Sequence, residues 1–151
     1  MGAPAILLSL VCKYAYRMSL RKTDINASPK AVVDAMCQSI TGKGLTLYSV
    51  IDHRSEIENA AATPFTAYTI TFGSPALSSM LLAKNIELSV DIPLRTSVVS
   101  RQNGCRLLWR DMHSLLSDFQ VANSENTANL VNGIIEDVIN GARAICDSSE
   151  R

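Results

Sequence analysis

From Glu125 to Cys146 the chain carries Leu130, Val131, Ile134, Ile135, Val138, Ile139, Ala142 and Ile145 at three-and-four spacing. That period belongs to one long helix with a wide apolar face. Such a face must be buried, and the rest of the chain has to supply the surface that buries it.

The preceding segments supply a sheet. Val11 to Leu20 alternates Cys12, Tyr14, Tyr16 and Met18 with Lys13, Ala15 and Arg17, the period of a strand with one buried face. Asp24-Ile25-Asn26-Ala27-Ser28-Pro29 breaks that pattern. Ser28 is a good N-cap, and Pro29 suits the first helical position, where its missing N–H costs nothing. Val32, Val33, Met36, Cys37 and Ile40 then mark an amphipathic helix, with Gly42 and Gly44 fitting a left-handed end.

Further strands are expected at Leu45 to Ile51, Ala67 to Phe72, Ile86 to Ile92, Leu94 to Arg101 and Cys105 to Arg110. Gln102-Asn103-Gly104 is a hairpin turn. Short helical stretches are expected over Asp52 to Glu56 with the run Ala60-Ala61-Ala62, over Ala76 to Ala83, and after Asp111. Strands and helices do not alternate throughout, which excludes a doubly wound parallel sheet. The reading is an α+β domain: a mostly antiparallel sheet with helices packed on one face. No repeat, low-complexity tract or linker divides residues 1–151, so one domain is expected.

A chain of 151 residues buries about two-thirds of the surface its unfolded form exposes. Fourteen basic residues balance fourteen acidic ones. That neutrality argues against nucleic acid as a partner and leaves a homodimer open. Cys12, Cys37, Cys105 and Cys146 form no CxxC pair and no cluster at metal spacing, so no metal or cofactor is expected. They read as buried free thiols in a reducing, cytoplasmic compartment.

Ala5 to Val11 is apolar, but no basic residue precedes it and it is too short to span a bilayer. Ile6 stands where a myristoylation motif wants Ser or Thr. The segment is expected to lead into a strand, with neither a cleaved signal nor a membrane anchor.

Four short motifs occur in order: Gly44-Leu45, Ile51-Asp52-His53, Phe72-Gly73-Ser74-Pro75 and Asp91-Ile92-Pro93-Leu94. At these separations they resemble the family numbered 302 among the domains of unknown function. The resemblance runs from about Lys13 to Leu116 and leaves the final helix, about 125–146, outside its best-matching part. It departs where Ser74 replaces an Asn, where Ser78-Ser79 replaces Gly-Thr, and where Trp109-Arg110-Asp111 replaces an aromatic followed directly by Asn or Asp. It implies a curved antiparallel sheet like that of the TATA-binding protein, with two main helices on one face, often dimeric. A fold of that kind does not itself imply DNA binding.

His53 leads the candidate residues. Histidine shuttles protons near neutral pH, and Asp52 or Asp91 could orient it as an acid/base pair. The structural alternative is that Asp52 caps the next helix and His53 bonds a backbone carbonyl. Gly73 permits a left-handed turn and Pro75 starts a helix, while N–H groups around Ser74 could hold an anion. Asp91 lies among apolar neighbours, which suits either a bulge or a paired carboxylate. Trp109, the sole tryptophan, suits the core or an interface. His113 is expected at the surface near a helix start. Ser78 and Ser79 have no general base at fixed spacing.

The resulting expectation is a small domain that holds a small or apolar ligand around His53, Gly73, Ser74, Pro75, Ser78 and Ser79. The alternatives are a cofactor-independent enzyme using His53 with Asp52 or Asp91, and a protein-interaction module.

Overall fold

The computed structural model describes residues 19–57 and 65–149. Its centre is a five-stranded, wholly antiparallel sheet in the order β1-β5-β4-β3-β2. The strands are β1 (Leu20–Ile25), β2 (Thr46–Asp52), β3 (Ala67–Gly73), β4 (Leu94–Arg101) and β5 (Gly104–Arg110). The helices are α1 (Pro29–Gly42), α2 (His53–Ile57), α3 (Pro75–Leu82), α4 (Met112–Asp118) and α5 (Glu125–Ser149), with a 3-10 turn over Ile86–Val90. This is the α+β architecture expected from the order of the sequence patterns.

Register divides the sheet residues between two faces, because directly opposed residues share a side. Ile70 lies opposite Thr96, Thr96 opposite Trp109, Val98 opposite Leu107, and all are buried. This inner face meets α1 and α5. Val32, Val33, Met36 and Ile40 of α1, and Val131, Ile135, Val138 and Ile139 of α5, complete the core. The two helices pack closely where Ser39 Oγ donates to the Val138 carbonyl at 2.7 Å beside Gly141.

Local chemistry explains the helix ends. Ser28 Oγ accepts from the Ala31 N–H at 3.2 Å, with Pro29 first in the helix. Past the end of α1, Gly44 takes φ +72°, the left-handed conformation expected there. Gly42 is still helical.

The strand expected at Val11 to Leu20 lies outside the described residues except at its end. Two other expectations need correction. The break expected from Asp24 does not begin there, because a strand runs over Leu20–Ile25. The charged residues suited to a break are accommodated in pairs, with Asp24 held opposite Arg106 at 2.6 and 2.8 Å. Ile86 to Ile92 is not a strand. Asn85 Oδ1 accepts from the Glu87 N–H at 2.9 Å, starting the 3-10 turn, and only Leu88 is buried while Ile86 and Val90 are 70% exposed. The alanine run Ala60-Ala61-Ala62 lies outside the described residues.

Candidate functional site

His53 is the first residue of α2, directly after β2, and its Nε2 shares a hydrogen bond with Thr69 Oγ1 at 2.8 Å. Asp52 Oδ1 accepts from the Arg54 N–H at 3.0 Å and the Ser55 N–H at 3.4 Å. The carboxylate thus caps α2, the structural role open to it in the sequence.

Asp91 lies elsewhere. It ends the 3-10 turn, and its oxygens accept from Arg95 at 2.7 Å and Arg110 at 3.3 Å. Thr69, the partner of His53, stands opposite Ser97 in the middle of β4, whereas Asp91 precedes the first residue of that strand. The acid/base pairing of His53 with Asp91 does not form in this structure.

The Gly73-Ser74-Pro75 turn is also remote from His53. Thr69 and Gly73 are four residues apart on β3, about 13 Å at strand rise. Ser74 Oγ accepts from the Leu77 N–H at 3.1 Å, so this hydroxyl caps α3, with Pro75 at the first position. Gly73 is not in the left-handed region. A Cβ there would make an ordinary 3.6 Å contact with the Tyr48 ring. Ser78 and Ser79 belong to α3, half-buried and exposed respectively.

Asp91 opens instead onto a cleft of about 320 Å³ at the start of β4 and the end of β5. Its apolar wall is Leu20, Leu94, Leu108, Met112, Leu115 and Ile135, with Trp109 beside them. Asp91, Arg95, Arg110 and Ser97 supply its polar groups. Arg110 also pairs with Asp118 of α4.

Sequence reading did not find this cleft, because its residues come from β1, β4, β5, α4 and α5. The signal that pointed to it was Asp91 among apolar neighbours.

Behind the cleft lies a buried polar tie. Asp111 accepts from Arg21 Nε at 2.7 Å, Asn132 Nδ2 at 3.0 Å and the Ser114 N–H at 3.0 Å. Asn132 Oδ1 in turn accepts from the Met112 N–H at 3.0 Å. Burial pushes the Asp111 carboxyl up, but the Ser114 N–H, Arg21 and Asn132 outweigh it and hold it below the usual value of 3.8. The tie joins β1, β5, α4 and α5. A lone Asn inside the apolar stripe of α5 was its sequence signal.

The other singled-out residues have structural places. Trp109 is 7% exposed on the inner sheet face, a core residue. His113 sits in the first turn of α4, with Nε2 2.8 Å from Asn129 Oδ1. Cys37 and Cys105 are free thiols, and burial pushes Cys105 up to about 11, which suits a small apolar packing residue. Among the described residues no group of His, Cys, Asp and Glu could hold a metal, and no helix is long and apolar enough to cross a membrane.

An antiparallel five-stranded sheet backed by α1 and α5 defines a small α+β domain, and comparison with known proteins gives that class its family. The pattern of the domain of unknown function DUF302 matches residues 21–142, and the chain belongs to that family. The match runs through most of α5, further than the motifs alone suggested. An uncharacterized conserved protein DUF302 from Bacillus stearothermophilus has a similar crystal structure, with a TM-score of 0.69 at 11% identity. The similarity covers 85% of this chain and 98% of that one, and at this identity it speaks for the fold alone. No curated protein matches the sequence.

Proposed function

We propose that this domain binds a small molecule in the cleft beside Asp91, with the apolar body of the ligand against Leu20 and Leu108 on the outer sheet face. The observation that carries the reading is the combination of a 320 Å³ concavity, a largely apolar wall and a few convergent polar groups. Ligand sites commonly have that composition and a volume of about 300 Å³ or more. Arg95 and Arg110 orient the ligand's polar end, since each guanidinium carries more N–H donors than its carboxylate partners use. The proposed site therefore moves from His53 to Asp91.

Mass spectrometry of small molecules retained by the natively purified protein tests this, alongside the variant Ser97→Phe. Ser97 lines the cleft from the half-buried outer sheet face, so phenylalanine there narrows it without entering the core. A retained compound that raises the melting temperature of the native protein, and fails to do so for the variant, is the expected result. Retention of nothing, or equal stabilisation of both proteins, rejects the proposal.

One observation favours an interaction role as well. The edge strand β2 has no charge from Thr46 to Ile51, and its Tyr48 and Val50 are 48% and 41% exposed. A second copy of this chain is the partner that fits such an edge.

A further inference from the structure

Three buried side-chain polar atoms lack a hydrogen-bond partner among the described residues: Thr96 Oγ1, Trp109 Nε1 and Arg143 Nε. They fall in one region. Thr96 and Trp109 are directly opposed on the inner face of β4 and β5. Arg143 reaches that face from α5, where its Nη2 donates to Thr23 Oγ1 at 2.7 Å. Thr23 is diagonal to Trp109, because Arg21 is the residue opposite the tryptophan.

Orphaned buried donors are rare in native proteins, and each one calls for an acceptor. Arg143 and Trp109 also line the same cleft, about 220 Å³, with Thr23, Ile139 and Asn140. Arg143 makes no ion pair among the described residues. The carboxylate in this cleft, Glu136, is paired instead with Arg21. A half-buried guanidinium without a counter-ion is costly, and an anion with oxygen acceptors is the chemistry that complements it.

We propose that this second cleft, between β1, β5 and α5, binds a small carboxylate. One carboxylate oxygen accepts from Arg143 Nε–H and the other from Trp109 Nε1–H, after a small side-chain shift that opens both buried atoms. Ile139 contacts a short apolar tail, and Asn140 lies at the exposed side. At about 30 Å³ per water-sized group, the cleft limits the ligand to roughly seven such groups, a short-chain acid. The inference is independent of the Asp91 cleft, which shares only the body of Trp109 with it.

Trp109 is the only tryptophan, so the protein gives a single indole N–H signal in nitrogen–proton NMR. Sodium propionate, titrated against sodium chloride at matched ionic strength, should shift that signal saturably, and chloride should not. Arg143→Met keeps the stem and removes the cation, and should weaken propionate binding by about tenfold or more, the effect of one charge-assisted hydrogen bond. Should that variant fail to fold, Arg143→Lys retains the charge without Nε–H and should still weaken binding. Ser97→Phe, in the other cleft, should bind propionate as the native protein does. No saturable shift, the same shift with chloride, or undiminished binding by a folded Arg143 variant overturns the proposal. So does a crystal structure grown in propionate with only water on Trp109 Nε1 and Arg143 Nε.

Discussion

His53 shares a hydrogen bond with Thr69, which stands opposite Ser97 of the proposed cleft. His53→Ala should cost about 1 kcal/mol or more in urea melts, the usual net value of such a bond. It should leave ligand retention unchanged, because the ligand's polar end is held by Arg95 and Arg110 at the start of β4 and the end of β5. Loss of retention in that variant would return the site to His53. Gly104 is constrained more tightly. It takes φ +96° in the β4–β5 hairpin, and a Cβ there would run into the Ile25 carbonyl oxygen and lie 2.9 Å from Asn26 Cα. Gly104→Ala adds left-handed strain to a backbone clash, so a loss of about 2 kcal/mol or more is expected by denaturant melt. A loss below half that value would show that the turn relaxes.

At the level of elements, the tie at Asp111 sets a pH dependence. Its folded carboxyl titrates below the usual 3.8, so its stabilising contribution is fully present above the unfolded value. The contribution falls away as pH drops through the unfolded value and then the lower folded one. Urea melts from pH 7 down to 3 should show this loss in the native protein and a flatter profile in Asp111→Asn. Equal slopes would remove Asp111 from the account.

This tie also marks the limit of what the sequence made legible. Periodicity and local residues identified α1 at Ser28-Pro29, the start of α3 at Pro75 and the Gly104 hairpin, because each is decided within a few residues. The 3-10 turn at Ile86–Val90 was misread as a strand. Alternation at period two suits a strand, whereas about three residues per turn scatters the same apolar residues around the axis. The decision lay with Asn85, which starts the turn and leaves Ile86 and Val90 exposed. Both clefts were hidden for a related reason. Arg21 and Asp111, or Thr23 and Arg143, meet only through strand register and the docking of α5.

On the scale of the whole molecule, the two sheet edges differ in a way that predicts assembly. Exposed edges invite pairing with another strand, and proteins blunt them with charges, including charges that point inward. β1 is blunted: it carries Lys22 and Asp24 outward and Arg21 toward α5. β2 carries none from Thr46 to Ile51, and no described residue pairs with its outer side. Tyr48 and Val50 add exposed apolar area at the same edge. The chain as a whole has a formal net charge of zero, so two copies approach with little repulsion. A two-fold antiparallel pairing of β2 with β2 of a second copy satisfies the open backbone groups and opposes no like charges. Light scattering across a concentration series should then give twice the chain mass of 16.4 kDa. Val50→Lys places a charge on the edge at a position 41% exposed, so it should shift the population to monomer without unfolding the domain. A native protein that stays monomeric at every concentration, or a Val50→Lys variant that dimerises as well as the native chain, rules this edge out as the interface.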